Sequence, residues 1–365
     1  MSVYSIGNDL YSGRKSYDII GKRKIWFAVA FLLVAISLLS FVVREPNLGI
    51  EFRGGSQFTV SGTQITDHKP AYDVVAKSTD AVPRVSTVGT TGVRVQTEQL
   101  DDQKTQEVKA GLAQAYQVPD TEVTSTYIGP SWGQDIMSQA VRAMIIFMVL
   151  ISVVLMIYFR SWTIAIGAIG ALLHDFIVTL GVYWILGMEI APATVIGLLT
   201  IMGYSLYDTV VVFDKVRENT ASLTQQREMT YGEKANLAIN QTLIRSLNTS
   251  ITGLLPVMAV LIIGVWLLGA QTLRDLGLVM FVGMLLSAIS SIFVAAPLAV
   301  ALAERNPKIK QHRAEVLEIR QQLSSSETST KAEETSGKIA TVRVSGGHQG
   351  QAAQPKRRKK KRNKR

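Results

Sequence analysis

The sequence predicts an α-helical membrane protein with six transmembrane helices and a small α+β domain between the first and the second helix. Six apolar stretches indicate this fold class, because each approaches the roughly 20 helical residues that cross a hydrocarbon core. They cover residues 25–43, 143–159, 163–187, 192–213, 251–269 and 276–303. The segment 44–136 has a different pattern, in which strand and helix periodicities alternate.

The first stretch also fits part of a secretory signal peptide, because basic residues such as Arg14 and Lys15 precede it. However, its apolar run is longer than the roughly 7 to 15 residues of a signal peptide, and no small-residue cleavage site follows Val43. We therefore predict that residues 25–43 remain in the protein as the first transmembrane helix.

The distribution of basic residues predicts the orientation of the helices. The chain has 38 Lys and Arg against 28 Asp and Glu, a net charge of +10. Residues 303–365 alone contain 17 basic and 6 acidic residues, so the charge does not indicate a nucleic-acid-binding domain. Because loops rich in Lys and Arg stay on the cytoplasmic side, we predict a multi-pass protein of the cell membrane with residues 1–24, the loop 214–247 and the tail 306–365 in the cytoplasm.

Residues 44–136 are predicted to form an extracytoplasmic domain, because they are the only segment on that side long enough to fold. Their periodicity predicts a strand at 56–60, a helix at 70–79, strands at 84–88 and 93–97, a helix at 98–115 and a strand at 122–128. This βαββαβ order is typical of the split βαβ, or ferredoxin-like, arrangement. The other five transmembrane helices then lie within residues 137–305.

The tail has few large apolar residues, and nine of the ten residues from Lys356 to Arg365 are basic. A segment of this composition buries too little apolar surface to offset the entropy of ordering. We predict disorder from about residue 320 onward. We also expect weak binding of the tail to anionic lipid or to the ribosome, although a basic run that only solubilises the chain and fixes its topology is an equal alternative.

Polar side chains near the middle of an apolar helix are candidate functional groups, because a charge in the hydrocarbon core costs at least about 2.5–3.5 kcal/mol. In the fourth stretch, Asp208 shares a helical face with Tyr204 and is followed by Thr209. In the third stretch, His174 and Asp175 lie near the centre. The carboxyl groups of Asp208 and Asp175 and the imidazole of His174 can take up and release protons.

Arg245 precedes the fifth stretch and is a candidate charge partner of Asp208. Burial disfavours the charged form of a carboxyl group and a nearby Arg favours it, so a movement of Arg245 would switch the proton affinity of Asp208. The sequence therefore indicates a proton relay. A structural carboxyl that ties helices together is the alternative for Asp208, and a polar clamp between helices explains His174 and Asp175 equally well.

Several other chemistries lack their motifs. The sequence has no G-x-x-x-x-G-K-[ST] loop for ATP and no G-x-S-x-G nucleophile elbow. It has no Cys, and its four His are scattered without metal-ligand spacing. We therefore expect no cofactor other than a proton gradient and no enzymatic activity.

Two longer motifs suggest a family. Residues 49–55 read Gly-Ile-Glu-Phe-Arg-Gly-Gly and include Glu51, Gly54 and Gly55, and residues 203–218 surround Asp208 at the end of the fourth stretch. The pair Gly129 and Pro130 before the second stretch is a further match. Together they resemble SecF, the smaller-subunit family of the SecD/SecF protein-export complex, which belongs to the resistance-nodulation-division superfamily.

The resemblance implies a subunit that works with SecD and uses the proton-motive force to assist late steps of preprotein translocation. The Sec translocon and its ATPase would start this translocation. Asp208 would be the proton-relay carboxylate and Arg245 its charge partner. At two positions the chain departs from the usual family pattern, with Glu51 in place of Asp and Tyr207 in place of Asn.

Two alternatives belong to other functional classes. The first is half of a proton-driven exporter of small molecules or lipids from the same superfamily, for which we would expect a larger loop domain. The second is a scaffolding membrane protein that uses its basic tail for recruitment, and such a protein would not need Asp208 and Arg245.

Overall fold

The computed structural model describes residues 3–80, 82–89, 91–267 and 271–334 of the 365-residue chain. The first helices are α1 (Val3–Tyr11), α2 (Arg23–Val43), α3 (Ile50–Arg53), α4 (Lys69–Ser78) and α5 (Asp102–Ala115). The strands are β1 (Gly55–Val60), β2 (Arg84–Val88), β3 (Gly92–Thr97) and β4 (Val123–Ile128). The later helices are α6 (Pro130–Phe159), α7 (Trp162–Leu186), α8 (Pro192–Thr220), α9 (Tyr231–Ala259), α10 (Gln271–Ser290), α11 (Ala296–Ala303) and α12 (Pro307–Glu334).

Among the described residues, six helical spans are long and apolar enough to cross a membrane, which confirms the sequence prediction. They run over Arg23–Val43, Pro130–Phe159, Trp162–Leu186, Pro192–Thr220, Tyr231–Gly264 and Leu273–Ala303. π-Helical turns at Val260–Leu267 and Ser291–Ala295 continue the fifth and sixth spans. Pro130 and Pro192 occupy the first positions of α6 and α8, where a missing backbone N–H removes no helical hydrogen bond.

Small residues bring the inner helices of the bundle close together. A Cβ atom added to Gly167 of α7 would lie 2.8 Å from the Cβ atom of Ala299 in α11. A Cβ atom added to Gly197 of α8 would lie 2.2 Å from Cγ1 of Val279 in α10. Neither contact leaves room for a larger residue, and this close packing brings polar groups of neighbouring helices within hydrogen-bond distance.

The four strands form one sheet in the order β2-β3-β1-β4, and every neighbouring pair is antiparallel. Phe58 in the centre of β1 lies opposite Val95 of β3 and Ser125 of β4. Alternate apolar side chains of the strands pack against α4 and α5, and this core includes Phe58, Val60, Val93, Val95, Val75, Val108 and Leu112. We refer to residues 55–128 as the sheet domain.

Two sequence predictions need correction. The segment 214–247, expected to be a loop, is mainly helical, since α8 continues to Thr220 and α9 begins at Tyr231. Thr230 and Glu233 form a capping box that starts α9 inside this polar segment. Disorder was expected from about residue 320, but α12 extends to Glu334. The rest of that expectation, residues 335–365, lies outside the described residues.

Residues 1–316 form one compact unit, in which polar contacts hold the segment before α2 and the start of α12 to one end of the bundle. Arg23 forms an ion pair of 2.6 Å with Glu304, which follows the sixth span. The backbone N–H of Tyr17 donates to Asn240 Oδ1 of α9 at 2.8 Å. His312 of α12 contacts the carbonyl oxygen of Gln226 at 2.8 Å. The segment before α2, the α8–α9 connection and the start of α12 therefore lie at the same end.

Candidate functional site

Asp208 is a buried carboxylate in the middle of the helical bundle, with only 3% of its surface exposed. Its Oδ2 atom accepts a hydrogen bond from the Ser291 hydroxyl at 3.0 Å and a second, short one from the Ser246 hydroxyl. Ser246 lies on α9 and Ser291 begins the π-helical turn after α10. Three helical spans therefore meet at this carboxylate.

Asp175 of α7 is a second buried carboxylate with a similar environment. Its Oδ2 atom accepts hydrogen bonds from Ser205 of α8 at 3.0 Å and from Ser290 of α10 at 2.7 Å. Its Oδ1 atom lies 3.1 Å from Nδ1 of His174. His174 Nε2 is buried and has no hydrogen-bond partner among the described residues, so this nitrogen is available to a proton or a water molecule.

Adjacent residues of the sixth span join the two carboxylates into one polar network. Ser290 donates to Asp175 and Ser291 donates to Asp208. Neighbouring residues on a regular helix point about 100° apart, and the π-helical turn that starts at Ser291 occurs at the place where the two hydroxyls diverge. π-Helical turns occur frequently at functional sites. The sixth span thus contacts Asp175 of α7 and Asp208 of α8 through two consecutive residues.

The serine partners of the carboxylates were not identified from the sequence. In the sequence Ser287 and Ser291 fit a stripe of small residues at every fourth position, and such a stripe usually indicates helix packing. Two sequence features could have indicated these partners. They are the Ser290–Ser291 pair inside an apolar span and Ser246, which directly follows Arg245. Buried hydroxyls of this kind need polar partners, and the two carboxylates supply them.

The other predicted members of the site are placed near Asp208 with different contacts. Tyr204 lies one turn before Asp208, but its hydroxyl donates to the carbonyl oxygen of Thr249 in α9 at 2.8 Å. Thr209 is buried next to Asp208. Tyr204 therefore attaches α8 to α9 and has no hydrogen bond to the carboxylate.

Arg245 does not contact Asp208 in this structure. Its side chain is exposed, and it forms no ion pair within the described residues. The following residue, Ser246, occupies the face of α9 that meets Asp208, and consecutive helical residues point about 100° apart. The expected charge pairing is thus replaced by a serine contact, and the role of Arg245 stays a prediction.

The predicted motif glycines form a tight crossing where the chain enters and leaves the sheet domain. Gly54 has φ = +76°, and a Cβ atom there would lie 2.8 Å from Cα of Pro130. Gly55 has φ = +131°, and a Cβ atom there would lie 2.4 Å from the carbonyl oxygen of Thr97. Gly129 caps the N-terminus of α6. Both glycines are needed for their backbone angles and for the close approach.

Glu51 of the same motif lies in α3, and its Oε2 atom is buried without a hydrogen-bond partner among the described residues. The described part of the chain contains no group of three or more His, Asp or Glu arranged to hold a metal ion.

Six apolar spans around a buried network of acidic and hydroxyl groups define a multi-pass membrane protein of the transport class. Residues 108–305 match the family described as "Protein export membrane protein SecD/SecF, C-terminal", and residues 39–64 match the "SecD/SecF GG Motif". The chain belongs to the SecF family of protein-export membrane proteins.

Relatives with the name "Protein translocase subunit SecF" are similar along most of the chain. The protein of Streptomyces coelicolor is 40% identical over 320 residues, which are 87% of this chain and 85% of the relative. The protein of Mycobacterium tuberculosis is 38% identical over 327 residues, which are 87% of this chain and 74% of the relative.

A solved structure has the same fold. The crystal structure of SecDF, a translocon-associated membrane protein from Thermus thermophilus, matches with a TM-score of 0.69 and 30% identity. The match covers 80% of this chain and 39% of that chain. A second crystal structure, of SecDF in the super-membrane-facing form, matches with a TM-score of 0.57 and 29% identity, over 82% of this chain and 40% of that one.

Proposed function

We propose that this subunit works with SecD and uses the proton-motive force to assist late steps of preprotein translocation, after the Sec translocon and its ATPase have begun it. The observation that carries this proposal is Asp208, a carboxylate 3% exposed in a membrane span and hydrogen-bonded only to serine hydroxyls within the described residues. Such a group is expensive to keep in the membrane, so a carboxylate retained there is a functional candidate.

The chemistry of the site suits proton transfer. A carboxylate accepts a proton, and serine hydroxyls both donate and accept hydrogen bonds, so Ser246 and Ser291 can accommodate either form of Asp208. His174 and Asp175 form a second titratable pair, connected to the first through Ser290 and Ser291. We propose the proton gradient as the energy source of this site, and we propose no cofactor.

An outer face of α8 and α9 supports a membrane-embedded partner. These helices expose four polar side chains, those of Tyr207, Arg245, Asn248 and Thr252. No atom of the described residues lies within 4 Å of a Cβ atom added to Gly203. Exposed polar groups at membrane depth are costly, so a second protein should cover them. SecD is the proposed partner, since relatives of this chain include the SecDF protein of Thermus thermophilus. The pairing of Arg245 with Asp208 remains part of the proposal, although Arg245 is exposed in this structure.

The contacts between the N-terminal segment, the α8–α9 connection and the start of α12 support the predicted orientation. The basic N-terminal segment, the α8–α9 connection and the start of α12 lie at one end of the bundle, which we assign to the cytoplasmic side of the cell membrane. The sheet domain is then extracytoplasmic. We propose the ferredoxin-like arrangement for it, supported by the β2-β3-β1-β4 order of antiparallel strands and by two helices that pack on the sheet.

The proposal extends to the basic tail, for which we keep weak binding to anionic lipid or to the ribosome as the expected property. Its basic run, Lys356 to Arg365, lies outside the described residues. The exporter alternative is not favoured, because the similar proteins are named as translocase subunits.

The Asp208→Asn variant tests the relay in membrane vesicles that contain the SecD complex. The amide keeps the size of the carboxylate and can still accept hydrogen bonds, but it cannot release a proton. We expect the variant to assemble normally and to lose the gradient-dependent part of translocation, while the ATP-driven part continues. The matched control is Asp214→Asn, because Asp214 is an exposed carboxylate on the same helix whose hydrogen bond comes from Tyr158. Wild-type gradient-dependent translocation in Asp208→Asn vesicles would leave only the structural interpretation of this carboxylate.

A further inference from the structure

A buried ion pair connects the sheet domain with the loop between α7 and α8. Arg94 of β3 donates from Nη1 to Oε2 of Glu189 at 2.5 Å, and Gln96 of the same strand donates from Nε2 to Oε1 at 2.7 Å. The side chains of Arg94 and Glu189 are only 10% and 13% exposed. Strand β3 therefore binds both oxygen atoms of one carboxylate, which fixes the position of this loop relative to the sheet.

The same loop is attached to the chain segment that precedes the sheet domain. Leu48 and Ile190 form a parallel β-bridge, in which Gly49 N–H donates to Ile190 O at 3.0 Å and Ile190 N–H donates to Asn47 O at 2.8 Å. Asn47 Nδ2 also donates to the carbonyl oxygen of Gly187 at 2.9 Å. Displacement of the loop would thus act on the sheet domain through backbone and side-chain contacts together.

Glu189 lies next to the helices that form the carboxylate site. The loop begins after α7, which carries Asp175, and ends at Pro192, where α8 starts toward Asp208. The Tyr183 hydroxyl of α7 donates a hydrogen bond of 2.9 Å to the backbone oxygen of Asp275, which lies near the start of the sixth span. A shift of α8 relative to α7 or α10 would therefore move Glu189.

The surrounding charges make the Arg94–Glu189 ion pair sensitive to a shift of α8. Charged groups around this pair include Glu51 of α3, Arg274 and Asp275 of α10, and Arg84 of β2. Arg84 in turn interacts with Arg53 and Glu45. A buried pair loses much stability when one partner is withdrawn, because the other charge stays unpaired. Arg94 and Gln96 should consequently follow Glu189 when it moves.

We propose that Arg94 and Gln96 are positioning residues that transmit the protonation state of the Asp208 site to the sheet domain through Glu189. The inference rests on the proposed proton relay and specifies how the relay reaches the domain outside the membrane. Lys69 and Asp73 form an exposed ion pair on α4 of the same domain and provide a matched surface control.

The test uses the full chain in complex with SecD and follows amide hydrogen exchange of residues 92–97 and 187–191. The Asp208→Asn variant keeps this position neutral, so exchange in both segments should differ from the wild type. This difference should disappear in an Arg94→Gln, Gln96→Leu background and persist in a Lys69→Gln background. If Arg94 has only a structural role, the Arg94→Gln, Gln96→Leu substitutions will change exchange by the same amount with and without Asp208→Asn. That result would overturn the proposal.

Translocation separates failure of the coupling from failure of the relay. Arg94→Glu and Glu189→Arg should each lose most gradient-dependent translocation, and the double reversal should restore part of it. If Asp208→Asn abolishes gradient-dependent translocation but leaves exchange in β3 unchanged, the coupling proposal is wrong and the relay stands. If a charge-reversal variant fails to assemble, the milder Arg94→Gln variant takes its place and should lose most gradient-dependent translocation. Full gradient-dependent translocation in Arg94→Gln would contradict the coupling.

Discussion

The sheet domain and the carboxylate site are built from opposite kinds of side chain. The core of the sheet domain consists of apolar residues on alternate strand positions, such as Phe58 and Val95, which are fully buried. The carboxylate site consists of acids and serines from several helices, such as Asp208 and Ser291, which are also buried. Apolar burial stabilises the fold, whereas a buried polar network costs stability unless every member is paired. Stability and function should therefore respond to different substitutions.

The largest effect on stability is expected from the sheet-domain core. Phe58→Ala removes a fully buried aromatic ring from the central strand and should destabilise the domain by about 3–5 kcal/mol. Amide hydrogen exchange of β1 and β3 in the full chain would measure the loss. Val82→Ala is the control, because Val82 is 84% exposed and its truncation should change the free energy by less than about 0.5 kcal/mol. Similar amide exchange in Phe58→Ala and Val82→Ala would contradict the conclusion that apolar burial stabilises the sheet domain.

A smaller effect on stability, with a direct effect on function, is expected from Ser291→Ala. The substitution removes one of the two hydrogen bonds to Asp208, a contact worth about 1.5–3 kcal/mol when the carboxylate is charged. Thermal unfolding and gradient-dependent translocation of the purified complex should both decline. Ser250→Ala removes a buried hydroxyl that, within the described part of the chain, bonds only to the backbone oxygen of Ser246 in its own helix, so it should preserve translocation. Equal loss in both variants would mean that the contact to Asp208 has no special role.

The smallest effect is expected from Tyr116→Phe in the sheet domain. The Tyr116 hydroxyl donates to the carbonyl oxygen of Asp67 at 2.9 Å, and its loss should cost about 1 kcal/mol near neutral pH. Burial raises the pKa of Tyr116 above its ordinary value of about 10. The stabilisation is therefore complete below about pH 10 and is lost as the pH rises further.

Thermal unfolding at pH 8 and at about pH 10.5 would check this pH dependence. The wild type should lose more stability between the two pH values than Tyr116→Phe does, while Tyr127→Phe, at a half-exposed position on β4, should behave as the wild type. The same loss in all three proteins would show that Tyr116 does not determine the alkaline sensitivity of the domain.

Periodic features of the fold were predictable because they are local. The strand Arg84–Val88 has the predicted bounds, and the helix Lys69–Ser78 differs from its prediction by one residue at each end. Alternation of apolar residues and the length of apolar runs reveal such elements without knowledge of the partners. Hydropathy does not reveal the start of α9 at Tyr231, because this end of the helix is polar. Thr230 and Glu233 nevertheless have the spacing of a capping box.

Partners within the candidate site were less predictable because they are distant in sequence. Asp208 was recognisable as a charge in an apolar span, but its contact Ser291 lies 83 residues away. The choice between Arg245 and Ser246 depends on the rotation of α9, which the sequence pattern does not determine. The Arg94–Glu189 pair joins residues 95 apart, and neither residue belongs to a recognisable motif.

Proton flux through the reconstituted complex tests the central claim most directly. Liposomes that contain this chain with SecD, a trapped pH-sensitive dye and an imposed pH gradient would report proton passage without any preprotein. We expect flux in the wild type and in Asp214→Asn, whereas Asp208→Asn should be no more permeable than liposomes without protein. Undiminished flux through the Asp208→Asn complex would contradict the assignment of Asp208 as the proton-carrying group.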